Sequence, residues 1–227
     1  MPKTCGGNQP VSDARALRRE AKEREVRAVR SANATEAIGT LEPGCELFIL
    51  TYGQFSLMDA VSALLAQTGP ADVVLSTWTA GSADLTRCAN LLEGAGVTSF
   101  RMVVDRSFLT RQPGYCRKMV DLFGSDCIRT WRGHAKFALI RNERWNLAVR
   151  TSMNLNTNPR MENLEISDDQ EFAGFFGAVV DEVFREQEPG VMDGELPKLA
   201  AVDFADKRAV TTGKASAAPM PQTELRA

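Results

Sequence analysis

Two short polar segments hold the residues with the greatest chemical capacity in this chain. His134, the only histidine, opens the run His134-Ala135-Lys136, and the run Thr151-Ser152-Met153-Asn154 follows an apolar stretch. An imidazole, an ammonium, a hydroxyl and a carboxamide can together attack and bind a phosphate ester. Taken singly, each residue also has a purely structural explanation, because Ser and Asn beside turns, or a histidine at a strand end, are common without catalysis.

These groups can act together only if neighbouring strands present them at one place. Residues 127–142 and 145–156 both have the composition of strands. The connection 142–144 is short and polar, which favours an antiparallel hairpin. Residues two apart in a strand share a face, so we expect the histidine beside the lysine and the serine beside the asparagine. A hairpin in the correct register would bring all four side chains together.

The chain before the hairpin alternates between strand and helix patterns. Buried strands are predicted over 45–53, 71–79 and 97–105, and helices over 56–69, 82–96, 112–126 and 172–187. Residues 158–160 are predicted to form a turn. Strands that alternate with helices imply a largely parallel sheet, and the hairpin makes it mixed. The expected fold class is therefore α/β, with a mixed sheet that is flanked by helices on both faces.

The sequence predicts one substantial domain with an extension at each end. Residues 1–41 form an N-terminal extension, in which a charged helix is predicted from about 14 to 31, and residues 42–188 form the domain. The segment 189–227 has few large apolar residues, which predicts a flexible, disordered tail. The charged helix is interpreted as a solvated helix or, alternatively, as an arm that follows phosphates.

Composition excludes some classes of protein. The net charge of −2 and the isoelectric point of about 5.6 give no overall positive field, so an anion-binding surface must be local. The five scattered cysteines lack a C-x-x-C pair, which disfavours a zinc site or a disulfide framework and favours the cytoplasm. The N-terminus has no apolar h-region, and no apolar run approaches the roughly 18 to 20 residues that span a bilayer, so neither secretion nor membrane insertion is expected.

The order His-x-Lys, apolar stretch, hairpin and Ser-x-Asn resembles the signature of the phospholipase D superfamily. The resemblance covers roughly residues 42–187, and it is to the single-motif, nuclease-like members, because the chain has one histidine and is too short for two motif-bearing halves. It implies that His134 is the nucleophile. The further catalytic residues that it implies are Lys136, Ser152, Asn154 and, as a later carboxylate, Glu162.

Two positions depart from the family pattern. The family's Asp lies five residues after the lysine, where this chain has Arg141, and Thr151 replaces the usual Gly before Ser152. Because that Asp commonly supports the site rather than attacks, its loss bears on turnover and leaves the phosphate pocket in place.

The resemblance implies a hydrolase that cleaves phosphodiesters through a covalent phosphohistidine. It requires no metal or other cofactor, and the sequence contains no cluster of metal-ligand residues. Enzymes of the family use a second histidine as the acid, and a chain with one histidine can obtain it only from another copy of itself. The histidine count therefore predicts a two-fold homodimer in which the two His134 side chains face each other.

Nucleic acid, and DNA in preference to lipid, is the predicted substrate, because basic and aromatic residues flank the motif and no membrane-docking segment is evident. The candidate substrate-binding residues are Arg132, Arg141, Arg160 and Trp131, with Trp145 as a second tryptophan that could stack on bases. One alternative is a nucleic-acid-binding module on the same fold that has lost turnover through Arg141. Another is a structural or assembly protein that uses the charged N-terminal helix for partner contacts.

Overall fold

The computed structural model describes residues 17–19, 22–31, 33–94, 96–156 and 158–190. Its strands are β1 (Glu25–Ala28), β2 (Glu46–Thr51), β3 (Ala71–Thr77), β4 (Val97–Asp105), β5 (Ile128–Trp131), β6 (Lys136–Arg141), β7 (Asn146–Thr151) and β8 (Glu162–Asp168). Its helices are α1 (Ala34–Ile38), α2 (Leu57–Thr68), α3 (Ser82–Glu93), α4 (Ser107–Arg111), α5 (Pro113–Phe123) and α6 (Gln170–Glu186).

The strands of these segments form one mixed sheet in the order β1-β2-β8-β7-β6-β3-β4-β5. The pairs β1–β2, β3–β4 and β4–β5 are parallel. The pairs β2–β8, β8–β7, β7–β6 and β6–β3, at the centre of the sheet, are antiparallel. The predicted α/β class with a mixed sheet is confirmed, and so is the hairpin of β6 and β7. The prediction of a largely parallel sheet is wrong, because β8 inserts between β2 and β7.

Helices cover both faces of the sheet, as the sequence predicted. The larger core contains side chains of α1 to α5, and the smaller core contains the apolar side of α6. In β6, Ala138 and Ile140 belong to the larger core, while Phe137 and Leu139 belong to the smaller one. Burial of each Ile, Leu or Phe side chain among these contributes about 1.5–3 kcal/mol. A slip of one residue would exchange the two faces, so burial fixes the register of β6.

Local signals define the ends of the helices that pack on this sheet. Ser56 and Asp59 form a capping box at the start of α2, and Gly69 ends that helix with a φ of +74°. The Ser56 hydroxyl also donates to Asp84 at 2.7 Å, which ties α2 to α3. No helix within the described ranges has both the length and the apolarity that crossing a membrane would need.

The charged helix predicted from 14 to 31 is wrong where the structure describes it. Residues 17–19 and 22–24 are not helical, and β1 pairs with β2 in parallel register. Strand β2 would otherwise present an unpaired edge, and this pairing outweighs the helix propensity of the segment, because tertiary contacts commonly override propensity. Arg19, predicted on the helix, instead donates to the buried Glu46 at 2.6 Å. The start of that helix and residues 191–227 of the predicted tail 189–227 lie outside the described residues.

Candidate active site

The sheet topology brings several chain segments to one edge, which we call the carboxyl edge. Strands β2, β3 and β4 end there, at Thr51, Thr77 and Asp105, while β6 begins there because Phe137 pairs with Ser76. Strand β7 ends and β8 begins at the same edge, as the register of both pairs requires. In open α/β sheets, ligands bind outside the carboxyl ends of the parallel strands.

The structure brings His134 and Lys136 into direct contact at this edge. His134 lies two residues before β6 rather than within a strand, and its side chain is exposed. The Lys136 Nζ lies 3.0 Å from Nδ1 and 3.2 Å from Nε2 of the imidazole. An ammonium can donate only to a ring nitrogen that carries a lone pair. Which ring nitrogen accepts from the ammonium depends on the tautomer of the imidazole.

The segment that carries His134 is anchored on both sides. The buried Ser76 of β3 donates from Oγ to the carbonyl oxygen of Ala135 at 2.8 Å. The backbone N–H of Gly133 donates to Oδ2 of Asp105 at 3.2 Å. A Cβ at position 133 would lie 2.4 Å from the Trp131 ring, so only glycine fits this path. These contacts hold the histidine against β3 and β4.

Ser152 and Glu162 form a second polar pair at the carboxyl edge, at the end of β7 and the start of β8. The Ser152 hydroxyl donates a short hydrogen bond to the Glu162 carboxylate. The same hydroxyl oxygen accepts from the backbone N–H of Asn163 at 3.0 Å. These two contacts fix the direction of the serine hydroxyl, because its proton and one of its lone pairs are both engaged.

Glu162 also acts electrostatically on Lys136. Burial lowers the pKa of the Lys136 ammonium, because a partly buried charge loses hydration. The negative charge of Glu162 acts in the opposite direction and raises that pKa. The two polar pairs, histidine with lysine and serine with glutamate, are therefore electrostatically coupled across β6, β7 and β8.

Asn154 is the remaining member of the predicted set. Its Oδ1 is buried and has no hydrogen-bond partner among the described residues. The chain beside it is held in place, since Leu155 forms a parallel bridge with Ala80 and donates from its N–H to the Thr79 carbonyl at 3.3 Å. A buried amide oxygen without a partner is unfavourable by about 1–3 kcal/mol, so this carboxamide is a candidate to contact a ligand.

Two residues of the carboxyl edge were not predicted from the sequence. The Trp78 ring lies edge-on to the His134 ring, with 5.1 Å between the centroids. The Arg111 guanidinium lies 3.7 Å above the Trp78 ring centre. Trp78 directly follows a buried strand, and that position is the one signal in the sequence that could have indicated it.

The candidate substrate-binding residues divide between the two edges of the sheet. Arg132 and Arg160 lie in loops of the carboxyl edge, and both residues are exposed. Arg141 lies at the other end of β6, opposite Asp72, where its guanidinium approaches Gly177 of α6. The structure therefore does not bring Arg141 together with His134.

The two tryptophans predicted to stack on bases, Trp131 and Trp145, both pack at the hydrophobic cores. Trp131 is half-buried and packs edge-on against Phe137 of the smaller core, with 6.4 Å between the ring centroids. Trp145 is 3% exposed and lies in the larger core. Trp145 therefore has no open face for a base, because burial of a large apolar ring is more favourable than exposure.

Metal-ligating groups and cysteine thiols are the other candidates for chemistry in the described part of the chain. No group of three or more His, Cys, Asp or Glu side chains in the described part of the chain is arranged to hold a metal ion. Cys45, Cys88, Cys116 and Cys127 are all free thiols. Burial raises the pKa of Cys88 to about 12, so this thiol is not a nucleophile at neutral pH.

Comparison with known proteins finds similarity only among solved structures. No protein-family model and no curated protein sequence matches the chain. The structure of Nuc from Salmonella typhimurium, a phospholipase D family member, is 13% identical with a TM-score of 0.46, over 63% of this chain and 97% of Nuc. NucT from Helicobacter pylori is 14% identical with a TM-score of 0.46, over 63% and 99% of the chains. Phosphatidylserine synthase from Haemophilus influenzae Rd KW20 is 17% identical with a TM-score of 0.45, over 64% and 39%.

Proposed function

We propose that this protein is a phosphodiesterase of the phospholipase D-like type, which cleaves nucleic acid through a phosphohistidine and works as a homodimer. The observation that carries the proposal is the contact between the Lys136 ammonium and the His134 imidazole. Ser152 and Glu162 lie at the same edge of the sheet. A nucleophile beside a cation and fixed polar groups is the arrangement that covalent phosphoryl transfer needs.

In the first chemical step, a ring nitrogen of neutral His134 attacks phosphorus as the bond to the leaving oxygen breaks. The Lys136 ammonium and the Nδ2 amide group of Asn154 donate to the nonbridging oxygens, and the lysine charge balances the negative charge that they carry. The leaving oxygen takes a proton from the protonated His134 of the second copy. General acid catalysis of this kind contributes on the order of 10² to 10⁴ in rate.

In the second step, water replaces the imidazole on phosphorus. The second copy's histidine is now neutral, and it accepts a proton from the water as the phosphorus–nitrogen bond breaks. Neutral His134 and a phosphomonoester result, and the acid is ready for another cycle. The scheme uses one histidine from each copy, which is why the proposal includes a homodimer.

The departure at position 141 does not oppose this proposal. Arg141 lies five residues along β6 from Lys136, a separation of roughly 16 Å at the usual rise of a strand. The change from Asp to Arg therefore alters no contact at the carboxyl edge. This placement supports a competent site over a module that has lost turnover through Arg141.

Arg132 and Arg160 support nucleic acid as the substrate, because both lie in exposed loops of the edge that holds His134. Arginine side chains at such positions bind the phosphates that flank a cleavage point. A cytoplasmic location belongs to the same proposal, since a nuclease with free thiols fits a reducing compartment.

The decisive experiment compares the parent with His134→Ala on single-stranded and double-stranded DNA in the presence of a chelator. We expect cleavage by the parent and none by His134→Ala, with an unchanged circular dichroism spectrum. Asn90→Ala, a change at an exposed residue of α3, is the matched control and should cleave normally. Full activity of His134→Ala would exclude His134 as the nucleophile. Salt-sensitive binding without cleavage by the parent would identify the protein as a binding module.

The homodimer needs its own test. Sedimentation under native conditions should give the mass of two chains. A mixture of the parent with His134→Ala should lose activity more steeply than the fraction of inactive chains, because each site requires both histidines. A strictly monomeric protein that cleaves DNA would contradict the dimer while leaving the phosphodiesterase in place.

A further inference from the structure

The Arg111 side chain is held rigidly at the carboxyl edge. Its Nη2 donates to the carbonyl oxygen of Trp78 at 2.8 Å, and its Nε donates to Oγ of Ser107 at 3.1 Å. The guanidinium plane is supported by the Trp78 ring at 3.7 Å. Nη1 makes no hydrogen bond within the described ranges. An arginine normally loses about 2 kcal/mol of rotamer entropy when it is ordered, and here the fold has already ordered it.

Arg111 differs from three of the other arginines that stack on aromatic rings in the described part of the chain. Arg19, Arg101 and Arg150 each stack on a phenylalanine and also pair with a carboxylate, of Glu46, Asp181 and Glu165 respectively. Arg111 has no carboxylate within ion-pair distance among the described residues. Its guanidinium is therefore exposed and has no direct carboxylate partner in that part of the chain.

The nearby Asp105 carboxylate reaches Arg111 only through Ser107. Oδ1 of Asp105 accepts from the Ser107 N–H at 2.9 Å and from the Ser107 hydroxyl. Since the hydroxyl proton is directed at Asp105, the hydroxyl oxygen is directed at the guanidinium. Oδ2 of the same carboxylate holds the N–H of Gly133. One buried carboxylate thus fixes both Arg111 and the loop that carries the histidine.

The guanidinium is close to the proposed nucleophile. The Trp78 ring lies 5.1 Å from the His134 ring and 3.7 Å from the guanidinium carbon of Arg111. The distance between the guanidinium carbon of Arg111 and the centre of the imidazole is therefore at most the sum of these two distances. In a nucleic-acid strand every phosphate has another one nucleotide away, so an anion-binding group beside a scissile phosphate meets the next one.

We propose that Arg111, supported by Trp78, is a second phosphate-binding subsite, which holds the phosphate adjacent to the scissile one in a nucleic-acid strand. The subsite rests on the proposed function, and it makes a polymeric phosphodiester the preferred substrate. Guanidinium suits this role because it stays charged and its planar fork matches phosphate oxygens. A diester with a single phosphate cannot use the subsite.

The test compares two substrates, bis(p-nitrophenyl) phosphate, which has one phosphorus, and a labelled single-stranded oligonucleotide. Arg111→Gln should raise KM for the oligonucleotide by about tenfold, the size of one charge-assisted contact. The same variant should act on bis(p-nitrophenyl) phosphate within twofold of the parent. The salt slope of log K for oligonucleotide binding should become shallower by about 0.7, the value for one phosphate on a single strand.

Arg144→Gln is the matched control. Arg144 also stacks on a tryptophan, Trp145, but it lies at the opposite edge of the sheet, after β6. It should change neither KM nor the salt slope. Both variants remove one positive charge, so a general effect of net charge would appear equally in the two.

Two outcomes would overturn the subsite. An equal loss on both substrates would mean that Arg111 acts through Trp78 on the position of His134, and an unchanged oligonucleotide KM would mean that it binds no phosphate. If the parent cleaves neither substrate, the proposed phosphodiesterase fails, and the salt slope of binding still decides the subsite independently.

Discussion

The Ser152 hydroxyl donates a hydrogen bond to the Glu162 carboxylate, across two strands whose pairing the sequence did not predict. This bond fixes the direction of the serine hydroxyl. The negative charge of the same glutamate raises the pKa of Lys136. A single carboxylate therefore connects the two polar pairs of the candidate site. Removing its charge while keeping its shape should show how far the site depends on it.

Glu162→Gln should shift the pH dependence of activity. Burial lowers the pKa of Lys136 and Glu162 raises it, so loss of the carboxylate leaves burial unopposed and lowers that pKa further. Phosphate binding needs the protonated ammonium. The alkaline fall of kcat/KM should therefore begin at lower pH in Glu162→Gln than in the parent, as a full pH–rate profile would measure. Superimposable alkaline limbs would contradict the coupling.

Ser76→Ala should reduce turnover more than binding. The Ser76 hydroxyl anchors the Ala135 carbonyl, between His134 and Lys136, and its loss should destabilise the fold by about 1 kcal/mol and loosen the nucleophile. Ser62→Ala is the control, because Ser62 makes a bond of the same 2.8 Å length to the Met58 carbonyl within α2. Steady-state kinetics should give a lower kcat for Ser76→Ala only. A similar kcat in both variants would exclude the anchoring role.

Gly133→Ala should destabilise the protein by about 1–3 kcal/mol, because the new Cβ would lie 2.4 Å from the Trp131 ring. Gly174→Ala, in α6, has no atom within 4 Å of the new Cβ and should stabilise the helix by about 0.5–1 kcal/mol. Urea unfolding of both variants measures the two effects. Equal stabilities would mean that the loop before His134 readily adopts another path.

Arg141→Asp restores the residue type of the phospholipase D pattern, and we expect no gain in turnover. Position 141 lies at the edge opposite His134, so the new carboxylate cannot support the nucleophile. It would face Asp72 across β3 and β6, and like charges in that arrangement should lower stability by up to about 1 kcal/mol. Arg141→Asn tests the position without repulsion. A rise in kcat for either variant would contradict the placement.

Local patterns in the sequence were sufficient for most of the helices and strands. Strand β4 was predicted with the bounds that the structure has, and helix α2 begins after the predicted strand β2 as its apolar spacing indicates. The hairpin of β6 and β7 followed from one short polar connection. Such elements depend on periodicity and turn chemistry within about ten residues, so no distant contact is needed to predict them.

Strands β1 and β8 could not be predicted in this way. Strand β8 has only Leu164 and Ile166 as deeply buried apolar residues, and β1 has exposed charges beside an exposed Val26. Both are strands because their backbone N–H and C=O groups pair with those of neighbouring strands, β2 for β1, and β2 and β7 for β8. Their existence depends on residues far away in the sequence, which a local pattern does not report.

The sequence by itself determined the chemical groups of the candidate site, since His134, Lys136, Ser152 and Asn154 were identified by type and spacing. Only the tertiary structure decided which other side chains join them. It places Trp78 against His134 and Arg111 against Trp78, and it moves Arg141 to the other end of the sheet. The physical reason is that strand order and register set these distances, and both arise from pairing and burial over the whole chain.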